Sequence, residues 1–300
     1  MGDILIGTCS WTDPALVASG WYPPGARTPA GRLGHYASRF AVVEVDATYY
    51  GVPAAERSRR WVERTPPGFV FDVKAFALMT GHPARAGALP ARLRPAGVPS
   101  GARVRAADLG ADGEREVWRA FTEGIAPLRD AGRLGGVLLQ FPPWFAPGER
   151  AEGRLARCRE LAGDMPLTVE FRDAGWLTGG RLPRTLALLR DHGMSLVAVD
   201  TAQGLPTSVP PVAEVTAPRL AVIRLHGRSP HWGSGTKEDR FRHRYTRDEL
   251  VPWVARARAL ARRAGAVHVL FNTCCGDAAV SAAALMADLA GTGRAEEKRR

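Results

Sequence analysis

Ionisable residues stand in pairs, two positions apart, where short apolar runs of the sequence end. The pairs are Glu44 with Asp46, Glu170 with Arg172, and Arg224 with His226. Since side chains alternate along a β-strand, both members of a pair point to the same side of a sheet. Carboxylates gathered with cations and imidazole in one cleft have perturbed pKa values, which suits acid/base catalysis or the binding of anions.

Glu170 is the predicted general acid or base, and Arg172 or Lys74 either lowers its pKa or holds an anionic group of the substrate. Lys74 is alternatively a Schiff-base lysine, and Asp200 and His226 complete the predicted catalytic set. The predicted substrate-binding residues are Glu44, Asp46, Gln140, Arg172, Arg224, Asn272, Trp11, Tyr50 and Trp176. The aromatic side chains among them offer flat faces for stacking on a sugar or a base.

Two other uses of these charges stay open. No metal ligand and no cofactor are predicted, but a divalent metal is an alternative, because oxygen ligands with one imidazole suit magnesium, manganese or zinc. Its ligands would be Glu44, Glu170, Asp200 and His226. The nearby cations of Lys74, Arg172 and Arg224 oppose a bound metal and favour recognition of phosphate or carboxylate. In the second alternative, the charged residues only form salt bridges with one another and fill the protein interior, since buried ions must be paired.

Eight short runs rich in β-branched residues are the predicted strands, and longer helical patterns separate them. The strands are predicted at 4–8, 42–45, 70–74, 136–140, 167–171, 195–200, 220–225 and 267–272. The helices are predicted at 31–40, 55–64, 114–131, 153–162, 182–192, 246–264 and 278–289. This alternation predicts a single α/β domain, a (β/α)8 barrel of the TIM type, in which the polar strand ends meet at one face.

Two connections depart from the regular pattern. Residues 81–113 follow the third strand, are rich in Pro, Gly, Ala and Arg, and are predicted to be a lid or disordered. The sixth crossover, residues 201–219, is too short and Pro-rich for a long helix. The barrel domain is predicted to span residues 1–291, with a charged tail at 292–300.

The composition is that of a reduced, soluble, cytoplasmic protein. The four cysteines lack the spacing of a zinc site or a thioredoxin-like motif, and no apolar stretch approaches the length of a membrane span. A membrane partner is therefore not expected. The net charge of +11 comes from arginines spread along the chain, so nucleic acid is a possible partner and a small anionic molecule the favoured one. The oligomeric state is not predicted.

Several motifs, in order along nearly the whole chain, resemble the YecE-like family, domain of unknown function 72. They are Gly7-Thr8-Cys9-Ser10-Trp11, Trp21-Tyr22-Pro23, Val43-Glu44-Val45-Asp46-Ala47-Thr48-Tyr49-Tyr50, Phe71-Asp72-Val73-Lys74, Leu139-Gln140-Phe141-Pro142-Pro143, Val169-Glu170-Phe171-Arg172 and Arg224-Leu225-His226-Gly227. The resemblance implies one β/α barrel with a polar pocket at the strand ends and no assigned reaction. It carries over, as pocket residues, Glu44, Lys74, Gln140, Glu170, Arg172, Asp200, Arg224, His226 and Asn272.

The sequence departs from that family in two places. Asn272-Thr273-Cys274 stands where the family commonly has two asparagines, and the 81–113 segment is longer and richer in Pro and Arg. These departures bear on any role of the second asparagine and on how open the pocket is.

The leading functional prediction is a hydrolase or lyase acting on a small phosphorylated or sugar-containing compound. One alternative is a nucleic-acid-processing enzyme that cuts a phosphodiester with a metal. Another is a non-catalytic ligand-binding barrel.

Overall fold

Eight parallel strands close into a barrel in the structure, a computed structural model that describes residues 1–292 apart from the Lys237 side chain. They are β1 (Asp3–Cys9), β2 (Val42–Val45), β3 (Val70–Lys74), β6 (Leu134–Gln140), β7 (Leu167–Glu170), β8 (Ser195–Asp200), β9 (Leu220–Leu225) and β10 (Ala266–Phe271). Around the barrel the order is β1-β10-β9-β8-β7-β6-β3-β2. The predicted (β/α)8 barrel is confirmed. Most of the predicted tail, residues 293–300, lies outside the described residues.

The helices pack around the strands. They are α1 (Pro14–Ala18), α2 (Pro29–Arg39), α3 (Ala55–Glu63), α4 (Gly110–Asp130), α5 (Glu149–Ala162), α6 (Arg181–Asp191), α7 (Lys237–Phe241), α8 (Arg247–Ala261) and α9 (Ala278–Ala290). Each helix expected from the sequence is present, with ends shifted by a few residues. The helices α1 and α7 were not expected, because five residues are too few for a helical period to stand out.

The long segment after β3 carries its own short elements. Its strands β4 (Ala84–Arg85) and β5 (Arg103–Val104) pair antiparallel, and α4 begins inside the segment at Gly110. Residues 201–219, between β8 and β9, contain only turns and bends, in line with the expected sixth crossover without a long helix.

The local sequence sets the ends of the helices. At α8 the Thr246 hydroxyl accepts from the Glu249 backbone N–H, and the Glu249 carboxylate accepts from the Thr246 N–H. This reciprocal capping satisfies donors that the first helical turn leaves without partners. Each helix leads the chain back to the start of the next strand. The position where a helix ends therefore determines which residues stand at the end of the strand that follows.

A buried hydrogen bond between two side chains lies in the barrel interior below the strand ends. The Asp72 carboxylate on β3 lies 2.9 Å from His268 Nδ1 on β10, and both side chains are buried. Gly135 on β6 makes this contact possible, because a Cβ there would lie 2.4 Å from Asp72 Oδ1 and 2.6 Å from His268 Cε1. Asp72 precedes Lys74 by two residues, so this pair lies one layer beneath the strand-end residues.

Candidate functional site

A cavity of about 430 Å³ opens at the carboxyl ends of the strands. The predicted site residues that line it are Asp46, Tyr50, Lys74, Gln140, Arg172 and Asn272. Thr8, Cys9, Ser10, Tyr49, Phe241 and Cys274 are among the other lining residues. The structure thus brings together residues from strands that are far apart in the sequence, as the barrel topology requires.

Arg224 forms the floor beneath this cavity. Its guanidinium is completely buried and bridges two carboxylates, with Nη2 2.6 Å from Glu44 Oε1 and Nη1 in contact with Glu170 Oε2. The bridge connects β9 to β2 and β7 across the barrel. Because arginine presents its donors as a rigid fork, one side chain holds both acids in fixed positions.

Four side chains with N–H groups surround the Glu170 carboxylate. Besides Arg224, its Oε1 lies 2.6 Å from Arg172 Nε, 3.1 Å from His226 Nε2 and 2.8 Å from Gln140 Nε2. Burial raises the pKa of Glu170, but the charges of Arg172 and Arg224 outweigh it and hold that pKa well below its usual range. This environment favours a permanent anion over the acid/base role expected for Glu170.

His226 is a neutral imidazole. Burial, reinforced by the charge of Arg172, lowers its pKa to about 3 even though Glu170 opposes the shift. Asn272 Nδ2 lies 3.0 Å from His226 Nδ1, so the amide donates to Nδ1 and the proton stays on Nε2, facing Glu170. Through this Nε2 contact, His226 orients the Glu170 carboxylate.

Glu44 and Asp46 form a second acidic centre. Burial raises the pKa of Glu44 to about 8, the charge of Arg224 opposes the shift, and the charge and hydrogen bond of Asp46 add to it. Two carboxyl groups joined by a hydrogen bond hold one proton between them. Glu44 is buried, whereas 27% of the Asp46 side chain is exposed and lines the cavity. The raised pKa keeps Glu44 protonated at neutral pH, directly behind the cavity wall that Asp46 forms.

Lys74 and Arg172 give the cavity its positive charge. Lys74 Nζ lies 3.9 Å from Asp46 Oδ1 and 4.8 Å from the centre of the Tyr49 ring. Arg172 lies over the Trp232 ring, with its guanidinium carbon 5.1 Å from the ring centre. With the Glu44–Asp46 pair singly ionised, the cations of Lys74, Arg172 and Arg224 exceed the carboxylate charge by one. The centre is thus suited to an anion.

Two of the expected aromatic residues do not line this cavity. Trp176 is completely buried, stacks on Phe171 at 4.5 Å between ring centres, and donates its indole N–H to the Phe145 carbonyl. Trp11 is buried edge-on against Trp61 and lines a neighbouring cavity. The sequence places both residues just after strands, but it does not specify whether a ring turns toward the cavity or toward the helices.

Asp200 also faces away from the strand-end cavity. Its carboxylate accepts from Arg228 Nε and Nη2 and, at 2.7 Å, from the Tyr245 hydroxyl. These bonds tie the end of β8 to the segment between β9 and α8. These contacts hold the Asp200 carboxylate against Arg228 and Tyr245, outside the cavity that Lys74 and Arg172 line.

Cys9 and Ser10, at the end of β1, belong to a motif found in the sequence but were not predicted as site residues. Ser10 is the one residue other than glycine with a positive φ, 95°, in the described part of the chain, and its N–H donates to the Glu44 carbonyl. Strained backbone of this kind concentrates at functional sites. Cys9 Sγ lies 3.4 Å from Arg224 Nη2, and burial raises the pKa of this thiol well above its usual value. The motif and the strand-end position are the signals in the sequence that could have identified these two residues.

The alternative metal set is not assembled as one centre. Among residues 1–292, no group of three or more His, Cys, Asp or Glu side chains is placed to hold a metal ion. Glu44 and Glu170 point their oxygens at Arg224, while Asp200 binds Arg228. The described side chains thus favour binding an anion at this centre. Within the same residues, no helix is long and apolar enough to cross a membrane.

A closed barrel of parallel strands with a polar cavity at their carboxyl ends defines a (β/α)8 barrel protein with a strand-end site. The chain belongs to the family described as "Protein of unknown function DUF72", whose model matches residues 5–300. The resemblance found in the motifs is therefore confirmed.

Related proteins agree with this assignment. The chain is 31% identical over 275 residues to "UPF0759 protein YunF" of Bacillus subtilis, covering 90% of this chain and 88% of that protein. A crystal structure of a DUF72 family protein from Thermotoga maritima is 28% identical with a TM-score of 0.76, over 96% and 99% of the two chains. One from Enterococcus faecalis, 24% identical with a TM-score of 0.79 over 99% and 98% of the two chains, shares the fold.

Proposed function

We propose that the protein is an enzyme of the hydrolase or lyase type that acts on a small phosphorylated or sugar-containing anion in the strand-end cavity. The observation that carries the proposal is that Asp46, backed by the buried Glu44, lines one cavity with Lys74 and Arg172, with Lys74 Nζ 3.9 Å from Asp46 Oδ1. The raised pKa of Glu44 supports it. A proton donor and two cations beside one space are what the departure of an oxygen leaving group from an anionic substrate requires.

The Glu44–Asp46 pair is the acid/base in this proposal. A general acid works best when its pKa lies near the working pH, and burial together with Asp46 moves the pKa of Glu44 to about 8. Asp46 is the exposed member, so the proton passes from the pair to the substrate oxygen through Asp46. In a lyase the same pair, once deprotonated, removes a proton from carbon. Glu170 instead holds Arg172 and Arg224 in place.

Lys74 and Arg172 bind the anionic group. Their side chains are 14% and 13% exposed, so each presents its charge to the cavity while its stem is buried. The ammonium of Lys74 is stabilised by Asp46 and by the face of Tyr49, contacts that support anion binding over a Schiff base. Tyr50, with 67% of its surface exposed at the rim, is positioned to stack on a sugar ring.

A ligand-binding barrel without catalysis is a second candidate, and the completeness of the Arg224 network favours it. Arg224, Glu44 and Glu170 already satisfy one another, so they stabilise the fold without any reaction. The two candidates differ at Asp46, which only an enzyme needs as a proton donor.

The test combines binding and turnover. Isothermal titration with inorganic phosphate and with a panel of sugar phosphates is run on the wild type, Lys74→Met, Arg172→Met and Asp46→Asn, with product formation followed over the same panel. Arg190→Met is the charge-matched control, because Arg190 is exposed near the end of α6 and does not line the cavity. We expect Lys74→Met and Arg172→Met to lose affinity about tenfold or more, because each removes a charge-assisted contact. Asp46→Asn is expected to retain binding and lose turnover.

Three results would count against the proposal. Binding of phosphate that Lys74→Met and Arg172→Met leave unchanged would place the anion elsewhere. Turnover that survives Asp46→Asn would remove the pair from the chemistry. Binding by the wild type with no turnover of any panel member would favour the non-catalytic candidate.

A further inference from the structure

A second cavity adjoins the strand-end cavity on the side of α3. Its volume is about 740 Å³, and it lies between the start of α2, the end of β2 and one face of α3. Four residues line both cavities: Ser10, Thr12, Asp46 and Ala47. The two spaces therefore meet at Asp46, the residue proposed to deliver the proton.

The wall formed by α3 is basic. Arg57, Arg60, Trp61 and Arg64 line the cavity and are spaced three, four and seven positions along the chain, which places them on one helical face. Arg60 is paired with Glu56, 3.1 Å away. Arg57 and Arg64 make no ion pair with any residue that the structure describes. The wall thus carries more positive than negative charge.

The floor of this second cavity is aromatic. Trp11 and Trp61 meet edge to face, with 5.9 Å between ring centres, and only 7% and 8% of their surfaces are exposed. Their rings are therefore fixed by packing, while the arginine heads above them are exposed. Cations on mobile stems over a rigid apolar floor suit the phosphates of an elongated ligand better than a single compact anion.

We propose that the α3 face is a second phosphate subsite, so that the natural ligand carries two or more phosphate groups along a chain. One group lies at Lys74 and Arg172, and the next lies at Arg57 and Arg64. This inference rests on the proposed function for the first subsite, and it names the class of substrate that the site accepts. Asp46, between the two subsites, then faces the bond that joins the two parts of the ligand.

The experiment compares phosphate, inorganic tripolyphosphate and a short oligothymidylate of about eight nucleotides, a length within the site sizes of single-strand-binding grooves. Each is titrated into the wild type, the Arg57→Met/Arg64→Met double variant, and the Arg190→Met control. Tripolyphosphate carries phosphates without bases, whereas the oligonucleotide carries widely spaced phosphodiesters. If tripolyphosphate binds more tightly than phosphate, the natural ligand is a small oligophosphate compound. If only the oligonucleotide binds more tightly than phosphate, the natural ligand is a nucleic-acid strand.

The expected result is about tenfold tighter binding of one chain-like ligand than of phosphate, a gain that Arg57→Met/Arg64→Met removes and Arg190→Met retains. Phosphate affinity itself is unchanged in the double variant. If the oligonucleotide is the ligand, the slope of log K against log salt falls by about 1.4 in the double variant, since two phosphate contacts are lost.

Two results would overturn the inference. If phosphate binds through Lys74 and Arg172 but neither chain-like ligand gains affinity through the arginines of α3, the second subsite is wrong and the proposed function stands. If none of the three ligands binds, the proposed function and the inference that rests on it both fail.

Discussion

The buried Glu44 and the partly exposed Asp46 lie side by side where the strand-end cavity begins, and burial, together with the charge and hydrogen bond of Asp46, raises the pKa of Glu44 to about 8. Glu44 is held from below by Arg224, and Asp46 faces the cavity beside Lys74. The same barrel layer contains Glu170, which has the opposite character, because its cationic neighbours keep it ionised. The surroundings of Glu44 and Glu170 thus shift their pKa values in opposite directions. In such a site the acid with the raised pKa can donate a proton, and the other acid stays a permanent anion.

This relationship predicts that anion binding weakens as the pH rises through about 8, the pKa of Glu44. Loss of the Glu44 proton adds one negative charge at the cavity wall, which opposes an incoming anion. Sulfate is the suitable probe, because its own charge does not change in this range. Titration calorimetry between about pH 6 and pH 9.5 measures the effect.

Glu44→Gln is the control for that experiment. The amide removes the titrating proton while keeping nearly the same shape, so its sulfate affinity should not fall around pH 8. A wild-type profile that is flat through pH 8, or a Glu44→Gln profile that still falls there, would show that the pair does not govern anion binding.

The free energy of unfolding should be greatest between about pH 4.5 and about pH 6.5 and should fall on either side. On the acid side, the pKa of His226 is lowered from 6.5 to about 3, so its contribution is complete above pH 6.5 and is lost as the pH falls. Glu170, whose pKa is also lowered, acts in the same direction. On the alkaline side, the pKa of Glu44 is raised from 4.5 to about 8, so its contribution is complete below pH 4.5 and is lost as the pH rises to about 8. Above pH 6.5 no gain from His226 offsets this loss, so the total falls.

Urea unfolding at a series of pH values measures this profile. In Glu44→Gln the decline between about pH 6.5 and pH 8 should be reduced, while the decline on the acid side should stay. If the free energy of unfolding of Glu44→Gln fell with rising pH as steeply as that of the wild type, Glu44 would have an ordinary pKa in the folded protein.

Arg224→Met should destabilise the protein by about 3–5 kcal/mol, since it leaves Glu44 and Glu170 buried without their shared cation. Arg224→Lys should recover only part of that loss, because a single ammonium does not reproduce the two-pronged contact. Arg59→Met, on the surface of α3, is the matched control and should change stability by less than about 0.5 kcal/mol. Chemical denaturation of the three variants would refute the prediction if Arg224→Met unfolded like the control.

Much of the fold was predictable from the sequence, because strand-like runs and helical patterns alternate clearly and the barrel follows from that alternation. The gathering of Lys74, Arg172 and Asp46 followed from the same rule, since parallel strands end at one face. The alternation of strands and helices did not predict where the side chains that follow the strands point. Trp176 turned into the aromatic layer beside Phe171, and Asp200 bound Arg228, because loop geometry decides these choices. The raised pKa of Glu44 depends on burial, which residue types alone do not specify.

Gly135→Ala should be strongly destabilising, by about 2 kcal/mol or more, although alanine is the smallest possible addition. A Cβ at this position would lie 2.4 Å from Asp72 Oδ1, 2.6 Å from His268 Cε1 and 2.8 Å from Val70 Cγ1, far inside contact distance. The buried Asp72–His268 pair cannot move aside without losing its hydrogen bond at 2.9 Å. Gly153→Ala is the control, because nothing lies within 4 Å of its Cβ position and it stands inside α5, where alanine is favoured by about 0.5–1 kcal/mol. Thermal unfolding of the two variants should therefore shift the midpoint in opposite directions, and equal midpoints would show that the barrel interior has room where the structure leaves none.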